Sequence, residues 1–210
     1  MNKSLLCLAL AATAAASQAV ILTPDAYTAL PGTSAPAGLV IEDDMVAFSF
    51  SGMTGQVRNR VVRKADDTLA FIWQVERTDD TTSHRLRSFR IGDFHTSVYD
   101  ADWSPTSVGT HPASFAYLFS DPAGSVNFNF TSDTGGSGGL LAHSESKFFY
   151  LDTDATQYAR TANYDMTGTD GNDFFYSGNF TTFAPVPEPA TLAALGLGAL
   201  ALLRRRKRTS

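Results

Sequence analysis

The stretch that decides the fold class is Leu69-Ala70-Phe71-Ile72-Trp73-Gln74-Val75-Glu76-Arg77. Phe71, Trp73 and Val75 stand at alternate positions, and a period of two residues places them on one face of a β-strand. Similar short runs recur on both sides of it, and no stretch between the two ends of the chain keeps a helical period. The other predicted strands are 45–50, 56–63, 85–91, 115–119, 126–130, 148–151 and 174–183. This pattern predicts an all-β body, built as an antiparallel β-sandwich or jelly roll.

Composition and charge exclude several classes of protein. The chain has 210 residues, of which 43% are hydrophobic and 18% charged, so it is neither disordered nor a multi-span membrane protein. Of the 16 basic residues, six lie at the two ends, which leaves ten basic against 21 acidic residues between them. Because phosphates would be repelled by so acidic a body, we expect no nucleic-acid partner.

The first residues have the features of a secretory signal peptide. A basic Lys3 precedes the apolar run 5–16, and small residues follow at Ser17 and Ala19. This order predicts a signal helix over residues 1–19, with signal peptidase cutting between Ala19 and Val20. A short buried helix is the alternative. The prediction makes the body an exported domain that begins at residue 20.

The last residues combine three unlike features. Pro187-Glu188-Pro189 is followed by the apolar segment 190–203, and then by the basic cluster Arg204, Arg205, Arg206, Lys207 and Arg208. As a helix, 14 residues measure about 21 Å, which is shorter than the hydrocarbon thickness of about 30 Å. Snorkelling arginine side chains and local thinning make a short transmembrane helix feasible. The basic cluster should stay cytoplasmic, which places the body outside.

This tail resembles the PEP-CTERM sorting signal over about residues 185–208. The same tail is also known as an ice-binding protein C-terminal motif, a name that is no evidence of ice binding. The resemblance implies processing by exosortase, a membrane enzyme of Gram-negative bacteria that produce exopolysaccharide. It implies recognition through Pro187, Glu188 and Pro189, transient anchoring by the apolar helix, and stop-transfer by the basic cluster. A plain single-pass anchor with chance prolines is the alternative.

These features divide the chain into a signal peptide (1–19), an all-β extracellular domain (20–184) and a sorting tail (185–210). Within the body the charge is uneven, because residues 91–189 hold two basic and twelve acidic side chains. Such a surface is either simply solvated or able to bind divalent cations in a calcium-rich compartment.

The best calcium candidate in the sequence is the segment 168–175. Gly168-Thr169-Asp170-Gly171-Asn172-Asp173-Phe174-Phe175 resembles one copy of the hemolysin-type glycine/aspartate repeat, which would make Asp170 and Asp173 calcium ligands. That repeat needs stacked copies, and no second copy is present, so an ordinary Asp/Gly turn is the alternative. Asp100-Ala101-Asp102-Trp103 offers a similar choice between chelation, a sugar-stacking tryptophan and a buried one.

The sequence contains no motif that predicts catalysis. It has no His-Glu-x-x-His, no Gly-x-Ser-x-Gly and no phosphate-binding loop, and its single cysteine, Cys7, lies in the predicted signal peptide. We therefore expect a noncatalytic cell-surface or extracellular-matrix protein associated with exopolysaccharide. It would be anchored transiently in the inner membrane, with later release outside left open. A secreted calcium- or carbohydrate-binding module is the alternative, and a polysaccharide-acting enzyme is a weaker one.

Overall fold

The computed structural model describes residues 19–121, 124–130 and 138–186, and this part of the chain contains β-strands and no helix. It accordingly includes no helix that is long and apolar enough to cross a membrane. The strands are β1 (Val20–Ile21), β2 (Tyr27–Ala29), β3 (Leu39–Phe50), β4 (Met53–Arg63), β5 (Leu69–Arg77), β6 (Arg85–Gly92), β7 (Asp100–Trp103), β8 (Ala113–Leu118), β9 (Val126–Phe130), β10 (Phe149–Asp152), β11 (Tyr158–Thr169), β12 (Phe174–Tyr176) and β13 (Phe180–Pro185). The predicted signal helix and transmembrane helix lie outside the described residues.

The strands form two antiparallel sheets, which confirms the prediction of an all-β, antiparallel body. The first sheet has the order β1-β7-β10-β5-β4-β3. In it, β3, β4 and β5 follow one another as hairpins, with Val46 opposite Val57 and Val57 opposite Val75. These apolar residues share one face because side chains alternate along a strand, and that face is turned to the core.

The second sheet has the order β12-β11-β6-β9-β8-β2, and β13 also pairs with β11. The long strand β11 is its organising element. One edge of β11 pairs with β6, whereas the other edge pairs with β13 near its start and with β12 near its end. The C-terminal strand of the described chain is therefore held within the sheet by β11.

Aromatic side chains from both sheets meet in the core. The ring of Trp73, on β5 of the first sheet, lies 6.2 Å from Phe89 and 6.5 Å from Phe128 of the second sheet. Phe149 of β10 lies 4.9 Å from Phe128 and is fully buried. Ring pairs at these separations add attraction to the burial of their apolar area, so this cluster stabilises the face-to-face packing of the two sheets.

The first sheet also has a small apolar cluster on its outer face. Val62, Ala70, Ile72 and Tyr150 are buried there, and Ala19, Ala35 and Phe148 pack against them. Strand β5 is consequently buried on both faces, which explains why its sequence is an almost continuous apolar run.

The predicted strand positions need two corrections. The single strand expected at 174–183 is two strands, β12 and β13, separated at 177–179, where Ser177 exchanges hydrogen bonds with the backbone of Met166. Four strands were not predicted, namely β1, β2, β7 and β11. Of these, β11 alternates buried Ala162, Tyr164 and Met166 with polar residues. Because few of its residues are apolar, the two-residue alternation is not evident from the sequence.

Candidate functional site

The sorting tail begins where the fold ends. Tyr158 of β11 pairs with Pro185 of β13, and the backbone nitrogen of Val186 donates to the carbonyl oxygen of Gln157 at 3.1 Å. Pro187, Glu188 and Pro189 come directly afterwards and lie outside the described residues, as does the basic cluster Arg204, Arg205, Arg206, Lys207 and Arg208. The last described residue is thus the one before the Pro-Glu-Pro segment.

An open cleft of about 370 Å³ adjoins this point of departure. Its lining residues are His95, Thr96, Ser97, Asp154, Ala155, Thr156, Pro185 and Val186. The hydroxyl of Ser97 donates a hydrogen bond to the carboxylate of Asp154. The lining of this cleft includes one carboxylate and one imidazole, together with Pro185 and Val186 of the chain that leads into the tail.

The two candidate calcium ligands lie on the turn between β11 and β12. One carboxylate oxygen of Asp170 accepts hydrogen bonds from the backbone nitrogens of Asn172 and Asp173, both at 2.9 Å. These two bonds hold the pKa of Asp170 below its usual value. Gly171 has a φ of +101°, a conformation that favours glycine. The carboxylate of Asp170 therefore closes a hairpin turn, while Asp173 is exposed beside it.

Across residues 19–121, 124–130 and 138–186, no group of three or more His, Cys, Asp or Glu side chains is arranged to hold a metal ion. The assignment of calcium to Asp170 and Asp173 stays a prediction.

A second cleft, of about 530 Å³, lies next to this turn. Its lining residues are Thr82, Ser83, Arg85, Arg87, Thr169, Asp170, Gly171 and Phe174. The ring of Phe174 is 63% exposed, and Arg87 donates to the carbonyl oxygen of Gly138 at 2.7 Å. We did not predict this site from the sequence, although Arg85 and Arg87 stand at alternate positions of β6 and so point to the same face.

An acidic patch lies on the outer face of the first sheet. Asp100 and Asp102 of β7 stand opposite Asp152 and Tyr150 of β10, respectively. Lys64 contacts Asp152 at 2.6 Å. Burial, together with the charges of Asp152 and Asp102, raises the pKa of Asp100. Burial likewise raises the pKa of Tyr150 to about 12.

Asp102 is the most enclosed member of the acidic patch, with no exposed surface. Its Oδ1 accepts hydrogen bonds from the backbone nitrogens of Gly32 at 2.9 Å and Trp103 at 2.8 Å. Its Oδ2 is buried and has no hydrogen-bond partner within the described part of the chain. The burial of this residue is not evident from the Asp-Ala-Asp-Trp sequence.

Trp103 is half-buried beneath the segment that precedes β3. Its indole nitrogen donates to the carbonyl oxygen of Leu30 at 3.1 Å, and a Cβ added at Gly32 would lie 2.5 Å from its ring. The half-buried ring therefore packs against the core beneath this segment, and its use in binding a sugar stays untested.

Comparison with known proteins identifies the tail. Residues 185–208 match the family model of the PEP-CTERM protein-sorting motif. No curated protein and no solved structure matches the chain. The match begins at Pro185, the last residue of β13, and continues through the basic cluster. Residues 185–208 are therefore identified as a PEP-CTERM sorting motif, and such a tail implies an exported protein of Gram-negative bacteria that exosortase processes.

Proposed function

We propose that the chain is a noncatalytic cell-surface or extracellular-matrix protein that associates with exopolysaccharide. Signal peptidase cuts between Ala19 and Val20, and the segment 190–203 anchors the exported body in the inner membrane. Exosortase then recognises Pro187, Glu188 and Pro189 and processes the tail. The basic cluster 204–208 keeps the end of the chain on the cytoplasmic side until then.

The observation that carries this proposal is the position of the fold's end relative to the motif. Phe183 and Ala184 of β13 are buried in the core, and the last backbone hydrogen bond of the described residues is made by Val186. A cut beyond residue 186 removes no strand and exposes no core residue of the described body. The two prolines also disfavour regular pairing at the motif, because neither has an N–H to donate. A processing enzyme can therefore act on the tail while the body stays folded.

The distribution of carboxylates supports a noncatalytic body. Most glycosidases need two carboxylates facing one cleft, about 5–9.5 Å apart. Each of the two clefts described above is lined by one carboxylate, Asp154 in the first and Asp170 in the second. Asp170 is further committed to its turn by two hydrogen bonds. This arrangement favours binding over hydrolysis.

The cleft beside the β11–β12 turn favours a second candidate function, that of a carbohydrate-binding module. Arg85 and Arg87 present guanidinium groups, which pair well with carboxylates, and the exposed ring of Phe174 offers an apolar face. Threonine and serine hydroxyls complete the lining. An acidic polysaccharide matches this combination of charge, flat ring and hydrogen-bonding groups.

Binding to polysaccharide is tested with the processed protein from the cell envelope. We expect retention on acidic polysaccharide at low salt, weaker retention on a neutral one, and a clear loss in an Arg85→Gln, Arg87→Gln double variant. Arg58→Gln, on the other sheet, is the matched control and should bind as the wild type does. Equal binding by the double variant and the wild type would remove the cleft from the proposal.

Sorting is tested with variants of the motif. Glu188→Ala, or Pro187 and Pro189 changed together to Ala, should block shortening of the tail while leaving export intact, because export depends on the first 19 residues. Immunoblots of fractionated cells compare the sizes of the products. Thr209→Ala, which lies beyond the matched residues, is the control. A Glu188→Ala tail shortened at the wild-type rate would show that this segment is not the recognition element.

A further inference from the structure

Strand β1 brings the predicted signal-peptidase site next to the acidic patch. Val20 pairs with Ala101 and Ile21 with Asp100, so the same register places Ala19 opposite Asp102. Ala101 is buried in the core between the sheets, and its neighbours on β7, Asp100 and Asp102, therefore face outward. Ala19 packs against the outer cluster that contains Tyr150, the residue opposite Asp102 on the other side of β7.

The backbone nitrogen of Val20 is turned towards β7. The nitrogen of Leu22 donates to the carbonyl oxygen of Tyr99 at 2.8 Å, which makes Leu22 a hydrogen-bonded position of this antiparallel pair. Hydrogen-bonded positions recur every second residue, so the nitrogen of Val20 points to β7 as well, towards the carbonyl oxygen of its partner Ala101, which adjoins Asp102 in the chain. This atom becomes the first nitrogen of the chain once Ala19 is removed.

Among the described residues, Oδ2 of Asp102 lacks a cationic hydrogen-bond donor, which is what this nitrogen would become. This oxygen is fully buried and accepts no hydrogen bond within the described residues. Oδ1 of Asp100, on the same face, is likewise buried and accepts no hydrogen bond there. Leaving a buried carboxylate oxygen unpaired costs free energy that a hydrogen-bonded cation would recover. Lys64, on this face, is engaged by Asp152.

We propose that cleavage after Ala19 completes this site, because the α-ammonium group released on Val20 binds the carboxylate of Asp102. Hydrolysis adds water across the Ala19–Val20 amide, so Ala19 leaves as a carboxylate and Val20 keeps an amine. That amine takes up a proton at neutral pH, since its usual pKa is about 8. Before cleavage the same nitrogen is an uncharged amide. This inference rests on the cleavage position in the proposed function.

The ion pair couples the stability of the body to its export. In the uncleaved chain Oδ2 of Asp102 has no hydrogen-bond partner among the described residues, whereas the processed chain gains a charge-assisted hydrogen bond that holds β1 against β7. The titratable groups on this outer face are Asp100 and Asp102 of β7 and Tyr150 and Asp152 of β10, with Lys64 bound to Asp152. Carboxylates outnumber the lysine, so the site raises the pKa of the ammonium. Its stabilising effect is therefore complete below the usual pKa and is lost as pH rises through the raised value.

The first test is a double-mutant cycle on the processed protein purified from the cell envelope. Two residues inserted between Ala19 and Val20 leave the processed protein with an amide at Val20 and the charge displaced. We expect this extension to lower the Tm of the wild type by about 5–10 °C, and that of the Asp102→Asn variant by less than a third as much. The exposed Asp80→Asn is the control and should keep the full effect of the extension. Equal losses in wild type and Asp102→Asn would overturn the proposal.

The second test measures the amine itself and does not depend on the stability of a variant. Reductive methylation with ¹³C-formaldehyde labels the amine without removing its charge, and NMR then follows its titration. We expect a pKa at least one unit above the usual value in the wild-type protein, and an ordinary value in the extended one. An ordinary pKa in the wild type, or N-terminal sequencing that finds a start other than Val20, would overturn the inference. A start other than Val20 would also move the cleavage position given in the proposed function, whereas an ordinary pKa of the amine at Val20 would overturn this inference alone and leave tail processing by exosortase untouched.

Discussion

The indole nitrogen of Trp73 donates a 2.9 Å hydrogen bond to the hydroxyl of Thr182. That hydroxyl donates in turn to the side-chain oxygen of Asn59 at 2.9 Å, and all three residues are buried. Trp73 and Asn59 belong to the first sheet, whereas Thr182 lies on β13, the strand that leads into the sorting motif. A polar link through the core thus ties the base of the tail to the opposite sheet.

Removing this link should destabilise the body. Thr182→Val keeps the shape of the side chain but leaves two buried groups, the indole N–H and the oxygen of Asn59, without a partner. We expect a loss of about 2–4 kcal/mol in the free energy of unfolding, measured by urea denaturation. Thr182→Ser, which retains the hydroxyl, should cost less than half as much. A Thr182→Val loss within about 0.5 kcal/mol of zero would mean that the link contributes nothing net.

The ion pair between Arg77 and Asp79 should be among the most sensitive positions of the body. Arg77 is 1% exposed, donates to both carboxylate oxygens of Asp79, and also donates to the carbonyl oxygens of His84 and Leu140. Asp79→Asn leaves the guanidinium buried without its counter-charge, which should cost about 3–5 kcal/mol at pH 7. Asp67→Asn, in the exposed pair with Arg63, should cost less than about 1 kcal/mol.

The same pair predicts a dependence on pH. Burial raises the pKa of Asp79, but hydrogen bonds from Arg77 and from the backbone nitrogens of Thr54 and Thr81 outweigh it, so that the pKa of this carboxyl lies below its usual value of 3.8. The ionised carboxylate therefore stabilises the fold above pH 3.8, and this contribution is lost as pH falls through the lowered pKa. The difference in Tm between wild type and Asp79→Asn should narrow below that pH. A difference that stays constant down to pH 2 would contradict this assignment.

The β11–β12 turn should require glycine at position 171. Nothing lies within 4 Å of a Cβ added there, so any cost of Gly171→Ala comes from its φ of +101° alone. We expect a loss of about 1 kcal/mol in the free energy of unfolding. Gly178→Ala is the matched control, because its surroundings are equally open and its φ lies outside the left-handed range. Equal effects of the two substitutions would show that backbone conformation does not explain this glycine.

Calcium is tested at the same turn. Because Asp170 already serves the turn, we expect millimolar Ca²⁺ and Mg²⁺ to raise the Tm slightly and equally, through screening of the acidic surface. NaCl at matched ionic strength controls for screening. A large shift with Ca²⁺ alone, abolished in an Asp170→Asn, Asp173→Asn double variant, would instead establish a calcium site there.

The sequence predicted the fold best where apolar residues alternate without interruption. The expected strand 69–77 coincides with β5, and the expected strand 126–130 coincides with β9. In both, large apolar residues stand at alternate positions, so an extended strand buries all of them on one face. It failed at β11, where alanine, threonine, asparagine and aspartate make up seven of the twelve residues. That strand is stabilised by pairing along both edges, a tertiary property that no local pattern contains.

The acidic patch was beyond prediction for a similar reason. Asp100-Ala101-Asp102-Trp103 has the composition of a turn, and its burial depends on Gly32, which is some 70 residues earlier in the chain and donates to Asp102. The tail, in contrast, was predictable. Its three features are contiguous, and each can be identified from its residues alone, without knowledge of tertiary contacts.

The intact mass of the protein recovered from the cell envelope tests the account most directly. We predict a chain that begins at Val20 and lacks the basic cluster 204–208 in wild-type cells, and that keeps this cluster in cells without exosortase. In both strains, a mass that corresponds to a chain ending at Ser210 would contradict the central claim that the PEP-CTERM motif of this chain is processed.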